Sequence, residues 1–297
     1  MTAIVVVNPT KGGTDDRRAM VEALNREGVS DVRFEETTAE DPGVGQSRRA
    51  VEAGADLVIA WGGDGTVMAC VTGLAGTDTS LAIVAGGTGN LLARNLDIPL
   101  GLTDGVAVAV RGARRRLDVG AIGDRKFAVM AGMGFDAAML RDASEGAKAH
   151  MGLAAYVFSG LRNVSEHGFD CTLTVDGGTS LHLRARTVLI GNVGKLQGGL
   201  PVLPDALPDD GQLDVAVISP RNLVHWANVA WQVAIRRRPD PRHMQSLRGR
   251  RILIESTTPQ PYELDGEVLG HTATMLCEVQ PQALVLCVPS PDQRRAR

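Results

Sequence analysis

One carboxylate set among glycines, in Gly62-Gly63-Asp64-Gly65-Thr66, is the stretch most suggestive of chemistry. Glycine lets a backbone approach a phosphate and turn through positive φ, and amides ahead of a helix bind anions. An Asp inside that turn repels a bare phosphate, but it makes sense if it holds a metal ion or a hydroxyl. The stretch therefore reads as a nucleotide-triphosphate loop, against the plainer alternative of a tight strand-to-helix turn. Two acidic clusters stand beside it. Glu263-Leu264-Asp265-Gly266-Glu267 places three acids around a glycine, where one can serve as a general base or where all simply form a hairpin turn. Residues 204–214 carry Asp205, Asp209, Asp210 and Asp214 around Gly211, which suits a hard cation such as Mg²⁺ or Ca²⁺ or an exposed Asx turn. Gly132-Met133-Gly134-Phe135-Asp136-Ala137 matches a dinucleotide fingerprint, but the acid expected about twenty residues on is missing. There is no Walker A sequence.

These residues need elements to hold them. Residues 56–60 are apolar and β-branched, which reads as a buried parallel strand, and 66–74 read as a helix. The glycines then sit at a strand's carboxyl end, where open α/β sheets bind ligands. A strand at 4–7 runs into the polar loop Asn8-Pro9-Thr10-Lys11-Gly12-Gly13. A helix follows at 17–27, with Gly28 as its C-cap, then a strand at 32–35 before Thr37-Thr38 and a helix at 45–53. A strand at 81–84 ends in Gly86-Gly87-Thr88-Gly89-Asn90, and 106–111 form a helix tail. This alternation predicts a parallel sheet with helices on both faces. Beyond residue 118 the texture changes. Strands are expected at 126–130, 171–175, 181–190, 213–218, 251–256, 273–279 and 284–288, with helices at 138–144 and 153–163. That pattern predicts an antiparallel sandwich, and hence domains at 1–118 and 119–297, with the last strand a candidate to return to the first domain. A helix over 222–238 carries Trp226 and Trp231 and ends in Arg236-Arg237-Arg238. It reads as a packing helix with cations at its C-terminus; a membrane-surface helix is the alternative. The tail 293–297 is expected to fray.

Composition narrows the function classes. The 297 residues are 44% hydrophobic but only 3% aromatic, so the core is aliphatic. A net charge of −3 argues against general nucleic-acid binding. The four cysteines form no CxxC pair, and Cys70 and Cys277 lie in apolar runs as packed thiols. The N-terminus has no basic flank of a signal peptide, no run reaches the length of a membrane span, and the six histidines form no zinc motif. A soluble cytoplasmic setting is expected.

Taken together, Asn8-Pro9 with Gly12, Thr37-Thr38, Gly62-Gly63-Asp64-Gly65-Thr66, Gly87-Thr88-Gly89-Asn90, Gly132 to Ala137, Asp210-Gly211-Gln212-Leu213-Asp214 and Asp265-Gly266-Glu267 resemble, in this order, the diacylglycerol kinase catalytic family of lipid kinases. The resemblance implies an α/β domain and a β-rich sandwich domain with the nucleotide in the interdomain cleft. It implies ATP held by Asn8, Pro9, Thr10, Lys11, Gly12, Thr38, Gly62, Gly63, Asp64, Gly65, Thr66, Thr88 and Asn90. It further implies catalysis by Glu267 as base and Asp64 at a catalytic Mg²⁺, with a structural Mg²⁺ on Asp210 and the carbonyls of Leu207 and Gln212. The implied substrate is a membrane lipid alcohol, diacylglycerol first, met peripherally at the inner face of the membrane, with no nucleic acid partner; whether the chain forms a homodimer stays open. Sphingoid-base or ceramide kinase, NAD kinase and a non-catalytic nucleotide-binding regulator are the alternatives. Four positions depart from the pattern: Met68 and Ala69 replace Asn-Glu, Leu91 replaces Asp, and Lys11 stands where a small residue is usual, within reach of a phosphate.

Overall fold

The computed structural model describes residues 1–10, 13–134, 168–195, 201–220, 223–235, 237 and 239–295. The chain divides into two compact units. One comprises Met1–Val119, Lys126–Ala128 and Gln280–Arg297; the other comprises Gly120–Arg125 and Val129–Val279.

In the first unit, β1 (Thr2–Val7), α1 (Thr14–Arg26), β2 (Asp31–Glu36), α2 (Val44–Glu52), β3 (Leu57–Gly62), α3 (Asp64–Leu74) and β4 (Ser80–Ala85) alternate as expected. The short α4 (Leu91–Asn95) and α5 (Leu102–Arg111) follow, and β5 (Ala113–Ile122) leads out. β1 pairs in parallel with β2 and β3, and β3 with β4. Val5, Val7, Leu57, Ile59 and Val84 pack on Met20 and Leu24 of α1 and Val106 of α5 in one core cluster. Ile4, Val6, Val58 and Ala60 are buried on the opposite face. Burial on both faces is why these strands read as unbroken apolar runs rather than alternating ones. α2 and α3 approach closely: a Cβ on Gly73 would stand 2.7 Å from Ser47 Cβ.

In the second unit every strand pairing is antiparallel among the described residues. It contains β7 (Met130–Met133), after the short β6 (Arg125–Phe127), then β8 (Phe169–Val175), β9 (Leu181–Ala185), β10 (Thr187–Gly191) and β11 (Leu213–Ile218). α6 (Leu223–Ala234), β12 (Met244–Gly249), β13 (Arg251–Leu264) and β14 (Glu267–Val288) as far as Val279 complete it; the rest of β14 returns to the first unit, where Leu286 pairs in parallel with Leu81 of β4, and α7 (Pro291–Arg295) ends the chain there. β13 organises this sandwich. Its first half pairs with β8, which pairs with β9; its second half pairs with β7, from which β10, β11 and β12 extend in turn. Register shifts after Glu255 and Tyr262 allow one strand to serve both sets of neighbours.

Several boundaries differ from the sequence reading. The strands expected at 273–279 and 284–288 are one strand, β14, with Gln282 at φ +51 inside it. The strand expected at 181–190 breaks at Arg186 into β9 and β10, and that at 126–130 into β6 and β7. β12 and α4 were not expected, and α7 makes part of the tail helical rather than frayed. The helices expected at 138–144 and 153–163 lie outside the described residues.

Candidate functional site

Because β1 to β4 run in parallel and in register, the segments after Val7, Glu36, Gly62 and Ala85 leave the same edge of the sheet. This is the carboxyl edge, the usual ligand edge of such sheets. Asn8 is set there by its N–H donating to Trp61 O at 3.2 Å. Its Oδ1 accepts from the Thr10 N–H (3.0 Å) and hydroxyl (2.7 Å), closing the loop that carries Pro9. Lys11 and Gly12 lie outside the described residues. Thr38 is exposed, and its Oγ1 accepts from the Asp41 N–H at 3.1 Å.

The two glycine loops are one structure. The Gly86 N–H donates to Gly62 O at 2.9 Å. A Cβ on Gly87 would lie 2.7 Å from Gly63 Cα, and one on Gly62 would lie 2.5 Å from Thr66 Oγ1. Gly87 is needed because backbone meets backbone, and Gly62 because the Thr66 side chain lies against it; neither is needed for an unusual torsion. Asp64 then ties the loops together. Its Oδ2 accepts from the Asn90 N–H at 2.8 Å and its Oδ1 from the Leu91 N–H at 2.6 Å. Asn90 holds the left-handed conformation (φ 48°) that turns the chain into α4. Its side chain closes the loop on itself, donating Nδ2 to Gly87 O (2.7 Å) and accepting at Oδ1 from the Gly87 N–H (3.3 Å). The sequence reading gave Asn90 to ATP, but its amide is committed to Gly87. Thr88 at the loop's tip is exposed.

α3 begins at Asp64, inside the motif, not at Thr66 as expected. Gly63 is its N-cap and offers no side chain, so the first amides of the helix lack intrahelical partners. No heavy atom lies within 4 Å of where a Gly65 Cβ would be. Free helix-terminal amides beneath open space suit a phosphate. The Asp64 charge is partly offset by its two N–H donors, and each oxygen keeps a lone pair for a cation carried by the nucleotide. ATP fits this edge.

The acids of 263–267 are not equivalent. Asp265 (φ 48°) and Gly266 (φ 91°) are the central residues of a two-residue type I′ turn joining β13 to β14. Asp265 is buried, and its Oδ1 accepts from the N–H groups of Val129 (3.0 Å) and Met130 (2.7 Å). Glu263 is buried behind the turn, its Oε2 accepting from the Gly266 N–H at 2.7 Å. Burial pushes its carboxyl up to about 8; the Gly266 N–H opposes this and the Asp265 charge adds to it. Glu267, first in β14, is exposed. Asp265 anchors, Gly266 turns, and Glu267 is presented. Sequence reasoning missed the anchoring role of Asp265 and Glu263, whose only signal was their place beside a turn between strands.

The acidic turn holds a cation of its own. Arg248 Nη2 donates to Asp210 Oδ2 at 2.6 Å and to Asp205 O at 3.3 Å, and its Nε lies 3.4 Å from Asp214 Oδ2. Asp210 Oδ1 accepts from the Gln212 N–H at 3.0 Å. Burial raises the Asp214 carboxyl while Arg248 lowers it. The implied Mg²⁺ on Asp210, Leu207 and Gln212 would share this carboxylate with a cation already present: one Asp210 oxygen accepts from the Arg248 guanidinium and the other from the Gln212 N–H. No group of three or more His, Cys, Asp or Glu side chains positioned for a metal occurs among the described residues. All four cysteines are buried thiols.

Comparison with known proteins follows these lines. A family model described as the diacylglycerol kinase catalytic domain matches residues 2–122. A second, the YegS C-terminal NAD kinase beta sandwich-like domain, matches residues 129–288. A Pseudomonas putida protein named probable lipid kinase YegS-like is 34% identical over 75% of this chain and 76% of its own length. The diacylglycerol kinase of Bacillus subtilis is 26% identical over 90% of each chain. The match to an uncharacterized Synechocystis protein spans about half of that protein, 52% of its length. A solved structure of a diacylglycerol kinase from Bacillus anthracis shares the fold, with a TM-score of 0.75 at 22% identity, covering 98% of this chain and 97% of that one.

Proposed function

The chain belongs to the lipid kinase family in which a diacylglycerol kinase catalytic domain precedes a YegS-type C-terminal domain, and on that premise we propose that it transfers the γ-phosphoryl group of MgATP to the hydroxyl of diacylglycerol, giving phosphatidic acid at the inner face of the membrane. The observation that carries the proposal is the Asp64 clamp, which fixes two glycine loops with open, unpartnered helix amides between them. Phosphoryl transfer asks little covalent chemistry of a protein; it asks for positioning and for neutralised charge. The Asn8 loop, Thr38, the Gly63 to Thr66 amides and Thr88 would hold the triphosphate. Magnesium enters as part of the nucleotide substrate, offsetting its charge beside Asp64.

Glu267 would supply the base. Its carboxylate takes the proton of the lipid hydroxyl as that oxygen attacks the γ-phosphorus. The bond from the γ-phosphorus to the β–γ bridging oxygen breaks, and ADP leaves. A base of this kind contributes about 10²–10⁴-fold. The turn supports the assignment: Asp265 and Glu263 are held by backbone N–H groups, so Glu267 is the carboxylate left free to react.

The test is phosphate transfer from radiolabelled ATP to diacylglycerol, sphingosine, ceramide and monoacylglycerol in mixed micelles, with NAD as the soluble control. Label on diacylglycerol is expected. Label on a sphingoid lipid would change the acceptor, and label on NAD alone would overturn the lipid assignment.

A further inference from the structure

α4 buries Leu91, Leu92 and Ala93 and leaves Arg94 exposed. The helix is fastened at its start. The Asn90 and Leu91 N–H groups both donate to Asp64, so whatever α4 carries is held in fixed relation to the first glycine loop. Arg94 is fastened to the second. Its backbone N–H donates to Asn90 O at 2.9 Å and its Nε to Gly89 O at 2.8 Å. Gly89 directly follows Thr88, the exposed tip of that loop. A guanidinium has five N–H donors, and the bond to Gly89 uses one. The four on the two Nη atoms have no partner among the described residues. Arg94 also pairs with no carboxylate there, whereas Arg17, Arg49, Arg111 and Arg116 of the same unit each meet an Asp or Glu. A brace for the loop needs Nε alone. The rest of the fork is a full positive charge, anchored at its base, beside the edge where the glycine loops lie.

We propose that Arg94 is a phosphate-binding residue of this site, its Nη groups engaging the terminal phosphates of a nucleoside triphosphate from the tip of the second glycine loop. The site needs such a cation. Asp64 adds negative charge to an edge that receives polyphosphate, and its two N–H donors offset that charge only in part. The free amides at the start of α3 supply about half a unit of positive charge. Arg94 supplies a whole one, in the planar form that meets phosphate oxygens two at a time. The Asp64 clamp then has a second consequence: by holding α4 it sets where this cation stands. The proposal rests on the nucleotide reading of the glycine loops and deepens it, because it names a residue that tells a triphosphate from a monophosphate.

ATP and AMP are titrated calorimetrically into the full-length wild type, Arg94→Gln and Arg94→Lys, with melting temperatures recorded alongside. Arg94→Gln should bind ATP at least about tenfold more weakly, the weight of one charge-assisted hydrogen bond, and AMP as wild type does. Arg94→Lys keeps the charge and loses the fork, so its ATP affinity should fall between the two. Wild-type ATP binding should weaken with salt more steeply than that of Arg94→Gln. A residue that only braces the loop gives a different pattern, in which ATP and AMP affinities fall together with the melting temperature. That pattern overturns the proposal. So does wild-type ATP affinity in Arg94→Gln, or a wild type that binds no nucleotide. Should Arg94→Gln fail to fold, the ratio of ATP to AMP affinity in Arg94→Lys decides, an unchanged ratio counting against the proposal. Failure of the two readings is separable. ATP affinity that depends on Arg94, with no lipid phosphorylated by wild type, keeps the phosphate site and removes the lipid kinase reading. Lipid phosphorylation by a wild type whose ATP affinity is indifferent to Arg94 does the reverse.

Discussion

The Leu91 backbone N–H donates to Asp64 Oδ1 at 2.6 Å, so the acid of the first glycine loop is fastened to the helix that follows the second. With the Asn90 N–H on its other oxygen, the Asp64 carboxylate is a crosspiece before it is anything else. Replacing it by Asn removes the charge and puts an NH₂ opposite a backbone donor. Hydrogen bonds to charged groups contribute about 1.5–3 kcal/mol. We expect Asp64→Asn to lower stability by about 2 kcal/mol and to weaken ATP binding, measured by urea unfolding and nucleotide titration. Wild-type stability would remove the clamp from the account.

Gly87 and Gly65 separate structure from ligand. A Cβ on Gly87 meets the Gly63 backbone at 2.7 Å, so Gly87→Ala should cost about 1–3 kcal/mol through overpacking. A Cβ on Gly65 meets nothing within 4 Å and sits in the first turn of α3. Gly65→Ala should melt at or above wild type, since Ala favours helix, while binding ATP more weakly. A Gly65→Ala protein with full ATP affinity would show that the open space is not where the phosphates go.

Glu263 makes stability depend on pH. Burial pushes its carboxyl from the ordinary 4.5 up to about 8, so between those values the native state holds a proton that the unfolded chain has released. This group's contribution is therefore full below about pH 4.5, declines as pH rises through that window and levels off above about 8. The slope is at most about 1.4 kcal/mol per pH unit. Glu263→Gln keeps an oxygen for the Gly266 N–H and removes the titration. Unfolding free energies at three pH values across the window should fall more steeply for wild type than for the variant; parallel curves would contradict this.

Arg248 supplies a cation to Asp210 and Asp214 at the acidic turn, where the resemblance implies Mg²⁺. Wild-type melting should be unchanged by EDTA. Arg248→Ala leaves Asp210 and Asp214 unpaired, at a cost of about 1–2 kcal/mol for a partly exposed network. Added Mg²⁺ should then restore part of the loss. Wild type that melts markedly lower in EDTA would return a metal to Asp210.

How much of this was legible depends on what each residue's signal rests on. The first unit's strands were readable because burial on both faces leaves continuous apolar runs such as 57–61, and their glycine loops showed as breaks. The α3 start was misplaced because Asp64 serves both as a loop residue and as the first residue of a helix capped by Gly63, a residue with no side-chain signal. β13 and β14 were read short because their polar middles look like turns, whereas each strand partners different neighbours along its length. The roles of Asp265 and Arg248 rest on contacts far apart in sequence. Arg248 reaches back 38 residues to Asp210, and no local pattern announces it.

The measurement that bears most directly on the proposed function compares Glu267→Gln with wild type for ATP affinity and for turnover on diacylglycerol. Glu267 is exposed, so the change should leave the melting temperature and ATP dissociation constant as they are. Turnover should fall by about 10²–10⁴-fold, the loss of a general base. Turnover within a fewfold of wild type, with ATP bound as before, would contradict the account and leave the phosphoryl acceptor without its base.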